Sequence, residues 1–504
     1  MSEKVKDILL GIDFGTGGCK VTAIDCVGNL VGENSVEYPT EFAHVGWSEQ
    51  NPADWYDAMC RALKNLRDKG VDLARVLAVS FDGSTHNAVL LDKNMNVVRK
   101  TIMWTDQRSV EECKFLRENY GEMIYNTGYQ QVAPTWTLPQ MRWLLNHEPE
   151  VLQKTAKILF VKDYVRYLVT GSAVTDYIEA QGTLFFDMKN MCWSPELVKL
   201  AGLRMDQMPE LVNPTDVVGS ITGTAARDTG LPEGTIVVCG TSDSAVEDYG
   251  AGAIEPGDCI VKLATAGNVN VMTAAPHPSN TTLTYSHVIP GMWYTVSATN
   301  AAALCQRWLR DTLCQSEKAA AQVENRSAFA IMDELAIQSP PGANGVFFHP
   351  YLQGERSPYW DAKLRGSFTG LSISSSKGDF IRALLEGVAY SLRDCYTSIE
   401  AMKLDVKKIY LIGGGGRSKL WSDIVCNVFN KPVQIPTPGD ASFGAALLAG
   451  TGAKVFADST EAVKKCLHLD RELQPTAELA EFYAQGFQTY RELHDCLQPI
   501  YAKR

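Results

Sequence analysis

Two glycine-bearing hairpins, about half a chain apart, constrain the fold of this 504-residue chain more than any other feature. In the first, the apolar run 8–12 enters the turn D-F-G-T-G-G-C-K of residues 13–20, and the β-rich run 21–25 leaves it. Residues 259–272 repeat this order of apolar strand, T-x-G turn and apolar strand. Glycines let backbone N–H groups approach an anion closely, so each turn is a candidate phosphate site. The pair predicts a duplicated architecture with a nucleotide bound between two lobes.

Either hairpin alone has an ordinary structural explanation, because tight turns with glycines are common between paired strands. The phosphate-loop pattern G-x-x-x-x-G-K-[ST] is absent from the sequence. In the first turn, however, Thr16 adds a hydroxyl donor, Lys20 adds a positive charge, and Asp13 is suited to hold Mg²⁺ through water. We therefore interpret the first turn as a phosphate site, with an Asx turn as the alternative role of Asp13.

Length and composition limit the classes of function. The chain is too long for one ordinary core, and alternating strand and helix patterns predict an α/β fold with lobes 1–252 and 253–504. The net charge of −11 argues against a nonspecific nucleic-acid binder. No run reaches the roughly 18 apolar residues of a membrane span, and the first seven residues lack the layout of a signal peptide. We expect a cytoplasmic protein that binds neither nucleic acid nor membrane.

Thirteen cysteines occur singly, without C-x-x-C or zinc-ligand spacing, which predicts reduced thiols and no zinc site. The sequence leaves the oligomeric state open, and a homodimer is one state that it allows.

Local patterns predict the elements that carry the candidate residues. Asn51 and the proline that follows it predict the start of a helix. Strand patterns cover residues 76–81, 235–240 and 408–412, and each is followed by a polar or glycine-rich turn. Residues 477–497 are typical of one amphipathic helix.

Motifs along nearly the whole chain resemble those of the FGGY carbohydrate kinases, specifically the xylulose kinase branch. D-x-G-T-x-x-x-K at residues 13–20 is similar to the family's first phosphate motif. G-S-T-H at 83–86 is similar to its sugar-binding turn, and W-T-D-Q-R at 104–108 matches its W-x-D-x-R signature.

The second half continues the resemblance. G-T-S-D at 240–243 lies where the family keeps its catalytic aspartate, and T-A-G at 265–267 where it keeps the second phosphate motif. P-Y-L-Q-G-E-R-S-P at 350–358 resembles a further family block, and G-G-G-G-R-S at 413–418 the adenosine motif. The resemblance implies the two-lobed actin-like (ribonuclease H-like) ATPase fold. It also implies that ATP and sugar bind in the interlobe cleft, with the sugar and the catalytic aspartate on the first lobe and adenosine on the second.

Three departures from the family pattern bear on the substrate. Ser84-Thr85 replaces Gln-Met in the sugar turn, Ser244 stands where xylulose kinases usually carry Asn, and Ala264 replaces a glycine of the second phosphate motif. The first two line the expected sugar site, so they leave the identity of the sugar open without affecting phosphoryl transfer.

Phosphoryl transfer requires alignment of the reactants, neutralisation of the phosphate charge and acceptance of the hydroxyl proton. Asp243 is the candidate base, with a helix cap as its ordinary alternative. Asp13 is the candidate metal residue. The residues expected to bind the nucleotide are Gly15, Thr16, Gly17, Lys20, Thr265, Gly267, Gly413, Gly414, Gly415 and Asn427. The three glycines at 413–415 would let the adenine lie flat against backbone, and for Asn427 the alternative is a solvated helix residue.

A polyol needs paired donors and acceptors with an apolar platform beneath its C–H face. The residues expected to bind it are Thr85, His86, Trp104, Asp106, Asp243 and Ser244. The alternative for His86 is a structural histidine. Arg108 has two roles left open, since it could contact the sugar or orient Asp106.

The resemblance implies an ATP- and Mg²⁺-dependent kinase that phosphorylates a small ketose, first of all D-xylulose to D-xylulose 5-phosphate. Ribulose, L-xylulose, erythritol and glycerol are the alternative substrates. A non-sugar ATPase of the actin or chaperone type would lack the sugar turn and the W-x-D-x-R signature. A dinucleotide-binding oxidoreductase would need G-x-G-x-x-G with an acid about 20 residues further on, which neither glycine run provides.

Overall fold

The computed structural model describes residues 5–503, which form two compact units of interleaved segments. Unit 1 combines the described part of Met1–Ile254 with Tyr285–Met292 and Pro438–His468. Unit 2 combines Glu255–Thr284 and Trp293–Thr437 with the described part of Leu469–Arg504. The lobe limits 1–252 and 253–504 remain a prediction.

The strands, in chain order, are β1 Ile8–Gly15, β2 Gly18–Asp25, β3 Leu30–Glu37, β4 Glu49–Gln50, β5 Val76–Gly83, β6 Ala88–Leu91, β7 Thr101–Ile102, β8 Lys157–Phe160, β9 Val174–Asp176, β10 Phe186–Asp187, β11 Cys192–Trp193, β12 Glu210–Val212, β13 Val217–Ser220, β14 Ile236–Ser242, β15 Asp258–Leu263, β16 Gly267–Thr273, β17 Leu283–Ser286, β18 Trp293–Thr299, β19 Phe347–His349, β20 Ser367–Thr369, β21 Lys408–Ile412, β22 Val433–Pro436 and β23 Leu469–Leu473. The helices are α1 Pro52–Asp68, α2 Val110–Gly128, α3 Thr137–His147, α4 Pro149–Lys154, α5 Val161–Thr170, α6 Tyr177–Gln181, α7 Pro195–Leu200, α8 Gly223–Thr229, α9 Asp243–Gly250, α10 Ala303–Thr312, α11 Gln315–Glu324, α12 Ala328–Ile337, α13 Lys377–Glu400, α14 Lys419–Phe429, α15 Ala441–Gly452, α16 Ser459–Cys466 and α17 Ala477–Tyr501.

Unit 1 is built on a six-stranded sheet in the order β13-β14-β5-β1-β2-β3. Strands β1, β5 and β14 run parallel, whereas β2 is antiparallel to β1, β3 to β2 and β13 to β14. The carboxyl ends of parallel strands meet at one edge of a sheet. The residues that follow β1, β5 and β14 are therefore brought together.

Helix α15 packs against β1 at very close range. A Cβ built on Gly11 of β1 would lie 1.8 Å from the backbone oxygen of Ser442 in α15, so only glycine permits this approach. Every residue of α15 is buried, which fits its run of small side chains. On α1, the apolar residues Trp55, Met59 and Leu63 are buried, and Asn51 caps the helix as predicted.

The sheet of unit 2 repeats the strand order and directions of unit 1. Its strands follow the order β18-β16-β15-β21-β22-β23, and the chain passes into unit 1 within β17 at its edge. Strands β15, β21 and β22 are parallel, and β16, β18 and β23 pair antiparallel with their neighbours. The two hairpins thus occupy equivalent places in two equivalent sheets, as the duplicated sequence pattern predicts.

Within residues 5–503, no helix combines the length and apolar character needed to cross a membrane.

Candidate active site

Carboxylates gather at the carboxyl ends of the parallel strands of unit 1. Asp13 on β1 is the in-register neighbour of Asp82 on β5, and Asp82 is in register with Thr241 on β14. Asp243 follows directly as the first residue of α9. The structure therefore brings the candidate metal residue and the candidate base to one edge of one sheet.

The Asp13 and Asp82 carboxyl groups face each other in a largely dry environment. Asp82 is fully buried, and its interaction partner is the Asp13 carboxyl. No donor from the other described residues reaches either Asp82 oxygen or Oδ1 of Asp13. Burial, followed by the charges of neighbouring carboxylates, raises the pKa of both groups.

These orphaned oxygens fit Mg²⁺, which binds to one or two carboxylates and keeps several waters or phosphate oxygens as its other ligands. Within the described residues, no three or more His, Cys, Asp or Glu side chains form a group that could hold a metal ion. Water and phosphate oxygens would therefore supply most of the ligands of a cation at Asp13.

Asp243 is held by the sugar turn and by its own helix. Its Oδ1 accepts hydrogen bonds from Thr85 Oγ1 at 3.0 Å and from the backbone N–H of Ser244 at 2.7 Å. Ser242, and not Asp243, occupies the capping position of α9. Asp243 is therefore the first helical residue and accepts from an N–H group of its own first turn, and three residues expected at the sugar site lie together.

The first glycine turn is braced by side chains from three other segments. Thr16 Oγ1 accepts from Trp104 Nε1 at 3.0 Å, and the Thr16 carbonyl accepts from Gln50 Nε2 at 2.7 Å. The Tyr38 hydroxyl donates to the Gly15 carbonyl. Trp104 thus links the expected sugar residues to the expected phosphate turn, while a Cβ on Gly17 would meet nothing within 4 Å.

Lys20 is already paired within unit 1. Its Nζ lies 2.6 Å from Asp440 Oδ2 and 2.8 Å from Glu33 Oε2. Asp440 also caps α15. The ammonium group therefore balances these two carboxylates beside the turn, and its contact with a phosphate stays a prediction.

The sugar turn has an unusual backbone at His86, whose φ of 55° lies in the left-handed region. The His86 N–H donates to Glu179 Oε1 at 2.5 Å, and its carbonyl accepts from Thr137 Oγ1 at 2.6 Å. The ring packs against Trp136, and burial lowers the pKa of His86 to about 3, so the imidazole is neutral at physiological pH. A neutral ring can both donate to and accept from a hydroxyl.

Both carboxylate oxygens of Asp106 accept hydrogen bonds from other residues of the protein. It accepts from the Ser48 N–H at 2.6 Å and from Arg108 through the backbone N–H, Nε and Nη2, all at 2.8–2.9 Å. The Arg108 guanidinium also lies 3.7 Å above the ring of Trp47 and pairs with Glu49. Of its two open roles, the geometry favours the orientation of Asp106.

A buried ion network supports β14 behind this edge. Lys162 lies 2.7 Å from Asp176, and Arg166 lies 3.0 Å from Asp163 and donates to the Cys239 carbonyl at 2.8 Å. Thr241 Oγ1 donates to Asp176 Oδ1 at 2.7 Å. The strand that delivers Asp243 is thereby fixed by paired, fully buried charges.

In unit 2, the second glycine turn is held at the start of α10. The carbonyls of Ala264 and Thr265 accept from the N–H groups of Ala303 at 2.7 Å and Ala302 at 3.0 Å, and Thr265 Oγ1 accepts from Arg307 at 2.6 Å. Gly267 is buried, and a Cβ there would lie 2.7 Å from Leu392.

The family block at 350–358 braces the same region of unit 2. Glu355 accepts from Thr299 Oγ1 at 2.5 Å and from the N–H groups of Asn300 and Arg356. Burial raises the pKa of Glu355 to about 7, against the effect of these donors. The block therefore fixes the end of β18, which pairs with Gly267 of the turn.

The glycine run at 413–416 packs on this second turn. Gly413 has a φ of 88°, and a Cβ there would lie 2.6 Å from the Leu263 carbonyl oxygen. A Cβ on Gly415 would lie 2.8 Å from Leu263, whereas one on Gly414 would meet nothing within 4 Å. Only Gly414 of the three therefore offers an open face to an adenine ring.

Asn427 lies in the protein interior. Its Nδ2 donates to the Asp423 carbonyl at 2.9 Å, and its Oδ1 accepts from the Thr476 N–H at 2.9 Å, at the start of α17. It is 1% exposed, so the solvated-helix alternative is wrong. The structure does not place it beside an open face, and its role as a nucleotide ligand stays a prediction.

Sequence reasoning missed several residues that shape these sites: Tyr38, Gln50, Asp82, Glu179 and Asp440. Asp82 could have been found, because it ends a buried strand pattern directly before the sugar turn. The others act across tertiary contacts that no local pattern reveals.

Comparisons with family models, with relatives and with solved structures each find similar proteins over most of the chain. The model of the FGGY family of carbohydrate kinases matches with its N-terminal domain at residues 8–250 and its C-terminal domain at 261–453. A xylulose kinase of Staphylococcus epidermidis is 32% identical, with 97% of each chain covered, and a gluconokinase of Bacillus subtilis is 27% identical, with 98% of this chain and 97% of the relative covered. The crystal structure of a xylulose kinase from Rhodospirillum rubrum, 28% identical, superimposes with a TM-score of 0.88 and covers 98% of this chain and 100% of its own.

Proposed function

The chain belongs to the FGGY family of carbohydrate kinases, and from this premise we propose that it transfers the γ-phosphate of ATP to a hydroxyl of a small ketose, first of all D-xylulose. The expected family, the two-domain α/β actin-like fold and the enzyme class of sugar kinase are confirmed. The choice of xylulose is supported by relatives of that name at 30–32% identity over nearly the full length.

The observation that carries the proposal is the hydrogen bond between Thr85 and Asp243 at the acid-bearing edge of unit 1. An acceptor hydroxyl placed beside Asp243 would meet a carboxylate that orients it and takes its proton. The Thr85 contact and the Ser244 N–H hold Asp243 in one orientation, which reduces the reorganisation needed at reaction.

Nucleotide and metal would be held by the remaining candidates. Asp13 would hold Mg²⁺, which supplies charge neutralisation at the phosphates. Gly15, Thr16 and Gly17 would present donors to the phosphates. In unit 2, Thr265 and Gly267 would do the same, and Gly414 would lie against the adenine.

The acceptor site favours an uncharged sugar. Asp243 and Glu179 place carboxyl groups against Thr85 and His86 of the sugar turn, and Arg108 is occupied by Asp106. The carboxylate of a sugar acid such as gluconate would lie near the Asp243 carboxylate without a free cation from Arg108, so its binding would cost more than that of a neutral ketose. Another ketose or a polyol remains the second candidate, because Ser84 and Ser244 depart from the family pattern.

An ADP-release screen tests the proposal directly. Purified enzyme with Mg²⁺ and ATP is assayed with D- and L-ketopentoses, ketohexoses, polyols, glycerol and gluconate. We expect D-xylulose to give the highest kcat/KM. Turnover of glycerol, a hexose or gluconate with both xyluloses inert would contradict the ketopentose assignment.

We further propose a cytoplasmic location, because all thirteen cysteines carry free thiols, as in reducing compartments. The homodimer expected as one allowed state is tested by sedimentation of the purified protein.

A further inference from the structure

Asp82 is the one acid of the strand edge that the proposed mechanism does not use. Its side chain is fully buried, and it lies in register with Asp13 on the neighbouring parallel strand. Paired residues of adjacent strands point to the same face, so the two carboxyl groups share one space. Asp13 also points toward the first turn, since a Cβ on Gly15 would lie 3.8 and 3.9 Å from its two oxygens.

Apart from the interaction between the two carboxyl groups themselves, the surrounding protein provides little to balance the charge of this pair. No donor from the rest of the described residues reaches either oxygen of Asp82 or Oδ1 of Asp13. Lys20, across the hairpin from Asp13, is paired with Asp440 and Glu33. Two buried carboxylates at close range repel each other strongly unless a proton or a cation lies between them.

A cation suits the site better than a proton alone. Asp243 adds negative charge to the surroundings of the pair, which raises the local attraction for a cation. Two carboxylates beside a phosphate turn are the protein ligand set that Mg²⁺ uses in phosphoryl-transfer sites. The backbone of the first turn lies directly beyond them.

We propose that Asp82 is a second carboxylate ligand of the divalent cation, so that Asp13 and Asp82 form a two-carboxylate site at the ends of β1 and β5. The identity of the cation as Mg²⁺ rests on the proposed kinase function, whereas the presence of a cation site rests on the buried pair alone.

Electron paramagnetic resonance of Mn²⁺ tests this with the full chain, without nucleotide or sugar. We expect one Mn²⁺ per chain, and we expect Asp82→Asn and Asp13→Asn each to weaken its binding by roughly 10- to 100-fold, as for loss of groups that support a metal. Asp57→Asn is the matched control, because Asp57 is an exposed carboxylate on α1. It should bind Mn²⁺ as the wild type does.

Asp82→Ser is a second variant, smaller and neutral, and should show the same loss with an unchanged circular dichroism spectrum. Unchanged Mn²⁺ affinity in a folded Asp82 variant, or no Mn²⁺ binding by the wild type, would overturn the proposal and leave a pair that shares a proton. The measurement needs no acceptor sugar. A failed sugar screen with intact Mn²⁺ binding would therefore count against the kinase assignment and not against the site.

Discussion

The two glycine hairpins share a backbone and differ in chemistry. Each lies in a sheet of the same strand order, but β1 and β5 carry Asp13 and Asp82 near their carboxyl ends, whereas β15 and β21 end with the apolar residues Leu263 and Ile412. In the proposed mechanism, the acids of unit 1 would therefore bind a cation and an acceptor hydroxyl. Unit 2 has glycines and backbone groups suited to a nucleotide. A duplicated fold can divide one reaction by changing only the residues at its strand ends.

The two turns are also held in place differently. The first is braced by the side chains of Tyr38, Gln50 and Trp104, and the second by N–H groups at the start of α10. The side-chain contact from Trp104 couples the first turn to a residue that we expect at the sugar site. Backbone braces fix a turn whatever its side chains are.

The largest expected effect is on kcat, and it comes from a substitution among the carboxylates at the carboxyl ends of the parallel strands of unit 1. Asp243→Asn should lower kcat by at least the roughly 10²- to 10⁴-fold typical of general-base loss, with ATP affinity kept. Thr265→Val on the second turn is the comparison, and it should act mainly on the KM for ATP. Steady-state kinetics and ATP titration measure both, and near-wild-type turnover of Asp243→Asn would remove that residue from the mechanism.

The second-largest expected effect separates sugar binding from nucleotide binding within unit 1. His86→Ala should raise the KM for the sugar by the equivalent of about 1–3 kcal/mol, because a buried hydrogen bond to one substrate is lost. The KM for ATP should change little. Equal changes in both constants would show that the turn acts on the whole site and not on the sugar.

Alanine substitutions test how tightly the glycines of the first turn and of the run 413–416 are packed, with the free energy of unfolding as the measured quantity. Gly413→Ala should lower the free energy of unfolding by about 1–3 kcal/mol, because the φ of Gly413 suits glycine only and its Cβ would clash with Leu263. Gly414→Ala and Gly17→Ala face open space and should leave stability unchanged. Urea denaturation measures all three, and equal losses would contradict this difference in packing.

The smallest effect is a pH dependence in unit 2. The folded-state pKa of Glu355 is about 7, above its unfolded value, so its contribution to stability is present at low pH and is lost as pH rises through 7. Between about pH 6 and 8 the wild type should lose on the order of 1 kcal/mol more than Glu355→Gln. Parallel unfolding curves for the two proteins would refute the raised pKa.

Local elements were predictable because their signals are local. The start of α1 at Pro52, the strand Lys408–Ile412 and the helix from Ala477 follow from caps and periodicity, and all are confirmed. The pairing of Asp13 with Asp82 depends on strand register, and that of Lys20 with Asp440 on a contact across 420 residues. No short stretch of sequence reveals either pairing. The sequence therefore predicts the motif residues but not the residues that hold them in place.

The packing of α15 on β1 has a consequence for the time course of synthesis. The bare face of Gly11 on β1 is covered by a helix that ends only at Gly452. At translation rates of about 5–20 residues per second, that helix is complete roughly 20 to 90 s after synthesis starts. During this interval the nascent first sheet exposes apolar surface that only its own distant segment can cover. We expect the unfinished chain to depend on chaperones for longer than its local folding propensity suggests.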